Sequence, residues 1–223
     1  MTRSPHSTPA KPQQPPVPEA VVSRERLLLR LDAVRERRLS LICAPAGYGK
    51  TTLVADWLRS NGAPCAWLTL DTRDDQSEVF WTRVGRALQA AGVRLHAPPG
   101  AHPFLDEHAD TPHLPRLLDA LAAYARQWHA AHAMMLVLDD FHVLHDPALL
   151  DEINRFLDQC PPLLHCIVTS RHEPELRLAR RRVAGELLEI RDADLRFTST
   201  ETAAFLAARM GLHLQPSQLR QLQ

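Results

Sequence analysis

Apolar residues in this chain fall into short unbroken runs separated by longer amphipathic stretches. The runs cover 39–43, 65–70, 134–138, 164–169 and 187–190. They are too short for helices and apolar on both alternations, which is the pattern of a strand buried on two faces. Between them the spacing turns helical. Phe80, Trp81, Val84, Leu88 and Ala91 form one stripe. Thr111 and Pro112 pair as N-cap and first helical residue ahead of Leu114, Leu117, Leu118, Leu121, Ala125 and Trp128, and Asp146–Pro147 repeats that start before Leu149, Leu150, Ile153, Phe156 and Leu157. These stripes read as core packing, and strands alternating with helices predict an α/β fold of βα units around a five-stranded parallel sheet.

The two ends differ from this middle. Residues 1–20 hold six of the eighteen prolines and almost no large apolar residue, so they predict a disordered tail. Residues 21–193 carry the alternating pattern. Near the end, Thr198 to Glu201 fits a capping box before Ala203, Ala204, Phe205, Leu206 and Met210, with Gly211 as C-cap. Residues 194–223 therefore read as the start of a helical domain that this sequence only begins. The stretch 93–110, with Pro98, Pro99, Gly100 and Pro103, reads as a long loop.

Charge narrows the function classes. Lys plus Arg and Asp plus Glu both number 26, without the basic excess of a domain that grips nucleic acid through phosphates. The longest apolar run, 133–138, falls far short of the roughly 20 residues a membrane helix needs. With no apolar leader segment either, the expected compartment is the cytoplasm. Cys43, Cys65, Cys160 and Cys166 lack metal-ligand spacing and read as small core hydrophobes. Lysine occurs only at 11 and 50, so 24 of the 26 cations are arginine. The lysine inside the folded region marks a place where arginine's planar fork does not serve.

That lysine lies in Ala44-Pro45-Ala46-Gly47-Tyr48-Gly49-Lys50-Thr51-Thr52, between the first strand and a helix that closes at Asn61-Gly62. A glycine-rich loop here turns backbone N–H groups and a helix's positive end toward phosphates. Lys50 takes the place that reaches the β/γ-phosphates, and Thr51 the place that ligates Mg²⁺. Position 44 is Ala where the general pattern has Gly, which is compatible with a negative φ. The third run ends in Asp139-Asp140, of which Asp139 is the candidate Mg²⁺ carboxylate and Asp140 the candidate for orienting the attacking water. After the fourth run, Arg171 stands at the strand-end level, where it could sense the γ-phosphate. With no other lysine in the folded region, the Asn/Thr-Lys-x-Asp loop of guanine sites is impossible, so adenine is the expected base. His142 and His145 read as solvated loop histidines, and Arg177, Arg180, Arg181 and Arg182 as a solvated helix end.

Together the loop 44–52, the phrase Ala66-Trp67-Leu68-Thr69-Leu70-Asp71, Leu138-Asp139-Asp140-Phe141-His142 and Thr169-Ser170-Arg171 resemble the MalT-like branch of the STAND ATPases, large ATP-binding transcriptional regulators with a C-terminal LuxR-type helix-turn-helix. The resemblance runs from about Val22 to Phe205 and includes the alanine at 44. It implies a P-loop NTPase of three α/β/α layers with strand order 5-1-4-3-2, in which the Arg171 strand separates the Asp139 strand from the loop strand. It also implies that Val22 and Arg24, ahead of the first helix, lie against adenine. The expected site is thus Lys50, Asp139, Asp140 and Arg171 for chemistry; Val22, Arg24, Ala46, Gly47, Tyr48, Gly49, Lys50, Thr51 and Thr52 for ATP or ADP; and Thr51 with Asp139 for Mg²⁺. The function it implies is a slow ATP/ADP switch that self-associates in the full-length protein and reaches DNA only through a C-terminal domain. An AAA+-like working ATPase and an ATP-binding interaction module without hydrolysis are the alternatives.

Overall fold

A computed structural model describes residues 14–16, 22–95, 113–128, 133–212 and 218. Thr111, Pro112, the loop from 96 onward and the proline-rich tail apart from Gln14, Pro15 and Pro16 lie outside them. The strands are β1 (Leu39–Cys43), β2 (Cys65–Thr69), β3 (Met134–Asp139), β4 (Leu164–Ser170) and β5 (Leu187–Arg191). They pair in the order β2-β3-β4-β1-β5, and every pair is parallel. The helices are α1 (Glu25–Asp32), α2 (Lys50–Asn61), α3 (Ser77–Ala90), α4 (His113–Ala125), α5 (Pro147–Gln159), α6 (Leu178–Val183), α7 (Asp192–Leu195) and α8 (Ser199–Met210). This is the P-loop arrangement, with β4 between the loop strand and the Asp139 strand.

Both sheet faces are covered, which is why the strands read as apolar on both alternations. Leu39 and Leu41 of β1 with Met134, Leu136 and Leu138 of β3 join Trp81, Leu117 and Phe156 of α3, α4 and α5 in one core. Ile42, Met135, Val137 and Ile167 join Leu27, Leu31, Leu53 and Trp57 of α1 and α2 in the other. The buried indoles find acceptors, as such N–H groups must. Trp57 Nε1 donates to Asp32 at 2.9 Å, tying α2 to α1, and Trp81 Nε1 donates to Glu152 at 2.6 Å, tying α3 to α5.

Two expectations need correcting. β5 is not fully buried: it is an edge strand with only Ile190 buried. Its outer side carries an ionic ladder in which Arg182 Nε donates to Glu189 at 2.7 Å and Arg191 Nη2 to Glu173 at 2.6 Å, the sort of charge that protects a sheet edge. Nor is Arg181 part of a solvated helix end. It is 2% exposed, because the short α6 turns it onto α5, where Nη2 donates to Asp158 at 2.8 Å. Among the described residues no helix is long and apolar enough to cross a membrane.

β1 has β4 on one side and β5 on the other, yet the chain leaves it for β2 at the far edge of the sheet. That reversal opens a crevice at the carboxyl ends of the central strands, where α/β sheets take ligands.

Candidate functional site

The amino end of α2 is built differently from those of α5 and α8. Asp146 caps α5 by accepting from the Ala148 and Leu149 N–H groups, and Thr198 caps α8 with a complete capping box. The cap of α2 is Gly49, with no side-chain hydrogen bond and no acid in the first turn. The first N–H groups of a helix have no intrahelical acceptor, so the end is left electropositive. Gly47 (φ 84°) and Gly49 (φ 76°) hold the left-handed backbone that turns the loop, and a Cβ at either would meet nothing within 4 Å. Glycine is therefore required there by φ, and the space beside it is open to a ligand. Ala44 is buried without a positive φ, so alanine fits where the general pattern has glycine.

Lys50 is 7% exposed, and its Nζ donates to the carbonyls of Ala44 (2.7 Å) and Pro45 (3.0 Å). Burial pushes its pKa down, with Asp140 opposing and Arg171 adding to the fall. Next to it, Thr51 Oγ1 donates to Asp139 Oδ1 at 2.9 Å, and Thr169 Oγ1 donates to the same oxygen at 2.6 Å. Burial raises the Asp139 carboxyl, and these two hydroxyls only partly counter it. Thr169 also accepts the Asp140 N–H at 3.1 Å, so β4 supplies the hydroxyl that fixes both acids. Asp140 has φ 60°, a strained backbone for a non-glycine residue, which turns the chain sharply at the strand end.

Lys50, Thr51, Asp139, Asp140 and Arg171 thus meet at the carboxyl ends of β1, β3 and β4. Arg171 is exposed and acts on Lys50 and His142 through its charge. His142 is not a solvated histidine: its side chain is 14% exposed, 3.7 Å from Asp140 and edge-on to His172, with its pKa lowered by burial and then by Arg171. The short turn after Asp140 folds it back over the strand end. His145 is exposed, and among the described residues no group of three His, Cys, Asp or Glu side chains could hold a metal. Thr51 and Asp139 remain as paired oxygen donors, the hard ligands that suit Mg²⁺.

Beside the loop lies a cavity of about 440 Å³, within the range of small-molecule sites. Gly47, Tyr48, Gly49 and Thr52 form its loop end, Val22 and Arg24 one wall, and Leu195, Phe197 and Phe205 another. Arg24 lines this space, but its guanidinium is committed to the protein. Nη2 donates to the Leu195 and Arg196 carbonyls, and the group sits 4.9 Å over the Phe197 ring. Phe197 and Phe205, 5.6 Å apart, are wall residues that sequence reasoning missed, as is Asp56 of α2. Phe205 carried a signal, being an apolar helix position with no partner in the pattern.

Residues 22–169 match the AAA ATPase domain family. The chain is 34% identical over 215 residues to the HTH-type transcriptional regulator MalT of Cronobacter sakazakii, covering 96% of this chain and 23% of that protein. It is 35% identical over 202 residues to MalT of Klebsiella pneumoniae, covering 91% of this chain and 22% of that one. It therefore spans less than a quarter of the length of these curated relatives. In fold it resembles a Signal Transduction ATPase with Numerous Domains (STAND) with a tetratricopeptide repeat sensor from Pyrococcus horikoshii, at TM-score 0.62 and 17% identity over 96% of this chain and 29% of that one. A Walker-type ATPase of Pyrococcus abyssi follows at TM-score 0.53 and 11% identity, over 91% and 62%.

Proposed function

Since this chain belongs to the AAA ATPase domain family, we propose that it is the adenine-nucleotide switch module of a signal-responsive transcriptional activator, a slow ATPase working in the cytoplasm. The observation that carries this reading is the uncapped amino end of α2 set against the Thr51–Asp139 pair. An open helix end takes the charge of a di- or triphosphate, and a hydroxyl beside a carboxylate takes its metal.

In this reading the backbone from Ala46 to Thr52 wraps the phosphates, and Lys50 exchanges the Ala44 and Pro45 carbonyls for phosphate oxygens. Thr51 and Asp139 would hold Mg²⁺, which supplies neutralisation of phosphate charge when bound. Asp140 orients the attacking water and Arg171 senses the γ-phosphate. The aromatic and apolar walls, with Val22, take adenine. Residues 21–193 form the nucleotide domain, and 194–223 begin a helical domain whose first helix closes the cavity. Self-association and DNA contact belong to the full-length regulator, with DNA bound outside these residues.

The test is to denature the purified protein and identify the released nucleotide by chromatography, alongside Lys50→Ala. Retained ADP in the parent and none in a folded Lys50→Ala protein is the expected result. Unchanged ATP affinity in that variant would remove the site assignment.

A further inference from the structure

Among the described residues the cavity is lined by one acid, and the proposed reading gives it no work. Asp56 is 5% exposed, and it lines the cavity from α2. Among the described residues only Arg59 donates to its side chain, through Nη2 to Oδ1 at 2.6 Å. Among the described residues the other oxygen, Oδ2, receives no hydrogen bond, on a side chain that lines the cavity. Holding a carboxylate oxygen out of bulk water without a donor is costly unless a ligand supplies one.

Its place along α2 says which part of a ligand that is. Gly49, Thr52, Leu53 and Asp56 share the cavity face at i, i+3, i+4 and i+7. Seven residues of helix rise about 10 Å from the loop. A nucleotide with its phosphates on Gly47–Thr51 reaches that far only with its base. The other charged groups lining the cavity among the described residues are Arg24, Arg196 and Arg209. All three are cations, and Arg24 is already bound to carbonyls. Asp56 is thus the lining side chain that can only accept.

We propose that Asp56 is a specificity-determining residue: Oδ2 accepts a hydrogen bond from the exocyclic 6-amino group of the bound base, so the site prefers 6-amino to 6-oxo purines. A 6-oxo group would set an acceptor against an acceptor and leave the carboxylate unpaired. The inference rests on the reading that the loop holds an adenine nucleotide. Phe197 and Phe205 supply stacking surface that any purine can use, so selectivity falls to Asp56.

The experiment titrates the full chain with ATP, ITP and 2′-deoxy-ATP, in the parent and in Asp56→Asn and Phe205→Ala, each checked for folding by thermal melt. The parent should bind ATP at least about 10-fold tighter than ITP. Asp56→Asn, whose amide can donate as well as accept, should bring that ratio toward one. Phe205→Ala should weaken both ligands in proportion and keep the ratio. Equal affinity for ATP and ITP in the parent overturns the inference and leaves the phosphate site standing, as does a ratio unchanged in Asp56→Asn. If Asp56→Asn alters the ATP to 2′-deoxy-ATP ratio instead, the carboxylate reads the ribose and the inference is overturned. If the parent binds none of the three, this inference and the proposed function fall together.

Discussion

Replacing Asp139 by asparagine keeps the shape of the side chain and removes one buried charge. The carboxylate is 2% exposed and accepts from Thr51 at 2.9 Å and Thr169 at 2.6 Å. Hydrogen bonds to a charged group contribute about 1.5–3 kcal/mol and neutral ones about 0.5–1.5, so the change forfeits roughly 2 kcal/mol over the two bonds. Against that stands the effective penalty for burying an ion, several kcal/mol. The carboxyl is displaced upward with burial as the main cause, so the penalty outweighs the bonds. Asp139→Asn should then be more stable than the parent at pH 7 by about 1–2 kcal/mol, a rise in Tm of about 2–8 °C for a chain of this size. The pH dependence follows from the direction of the shift. A folded-state pKa above the usual 3.8 means the parent gains stability as pH falls through the folded value, with the gain complete below 3.8. The gap should therefore close on acidification. Thermal melts in chelator at pH 7, 5 and 3.5 read this directly. Saturating ligand at 100 times its Kd adds about 2.7 kcal/mol to whichever protein binds it. Mg·ATP should accordingly reverse the order by stabilising the parent more. An asparagine variant less stable at pH 7 without nucleotide, or a gap that widens toward pH 3.5, would refute the reasoning.

Two further predictions concern the exposed arginine and the α8 wall. Arg171→Ala lies on the surface and should leave stability within about 0.5 kcal/mol. Single-turnover hydrolysis should fall at least about 10-fold with Mg-free ATP affinity unchanged; equal rates in the two proteins would remove Arg171 from the chemistry. Arg26→Ala severs the pair to Glu201 (3.0 and 3.1 Å) and the bonds to the Asp194 and Arg196 carbonyls (2.8 Å each), so protease should cut 197–212 faster while the sheet melts almost as before. Burial alone would raise Glu201, but Arg26, the Thr198 N–H and Arg24 outweigh it and hold the carboxyl below its usual 4.5. The docking of α8 is therefore at full strength above pH 4.5 and lost as pH falls through the lowered value. Proteolysis of 197–212 in the parent should accelerate over that range, and a flat profile would count against the pair.

The glycine loop ahead of α2 was legible in the sequence because its requirements are local. Gly47 and Gly49 answer to φ, and Lys50 stands out in a chain that otherwise uses arginine. The five runs announced a parallel sheet because burial on both faces leaves no polar alternation. Their order was not in the periodicity, since an apolar run carries no record of its neighbour, and it came through the resemblance. Phe197, Phe205 and Asp56 were missed for a related reason. Helical spacing shows that a residue faces inward but does not distinguish a cavity from a core, and the parts that make this cavity lie about 140 residues apart. Arg181 and His142 misled in the opposite sense, polar residues whose burial depends on Asp158 and on the turn after Asp140.

The walls of the cavity are not held with equal strength. The α2 wall rests on Leu53, Val54 and Trp57, all within the apolar core. The opposite wall is anchored in that core by Leu195 alone; beyond it, residues 196–209 are tied mainly by Arg24 and Arg26 to Glu201 and to backbone carbonyls, and Glu201 is the only buried residue of α8. Partly exposed ion pairs contribute about 0.2–1 kcal/mol each, whereas emptying a core position costs about 2–5. A nucleotide that changes the fit of its base or sugar therefore moves α8 before it moves α2. The Arg26–Glu201 pair then sets how much binding energy that movement takes.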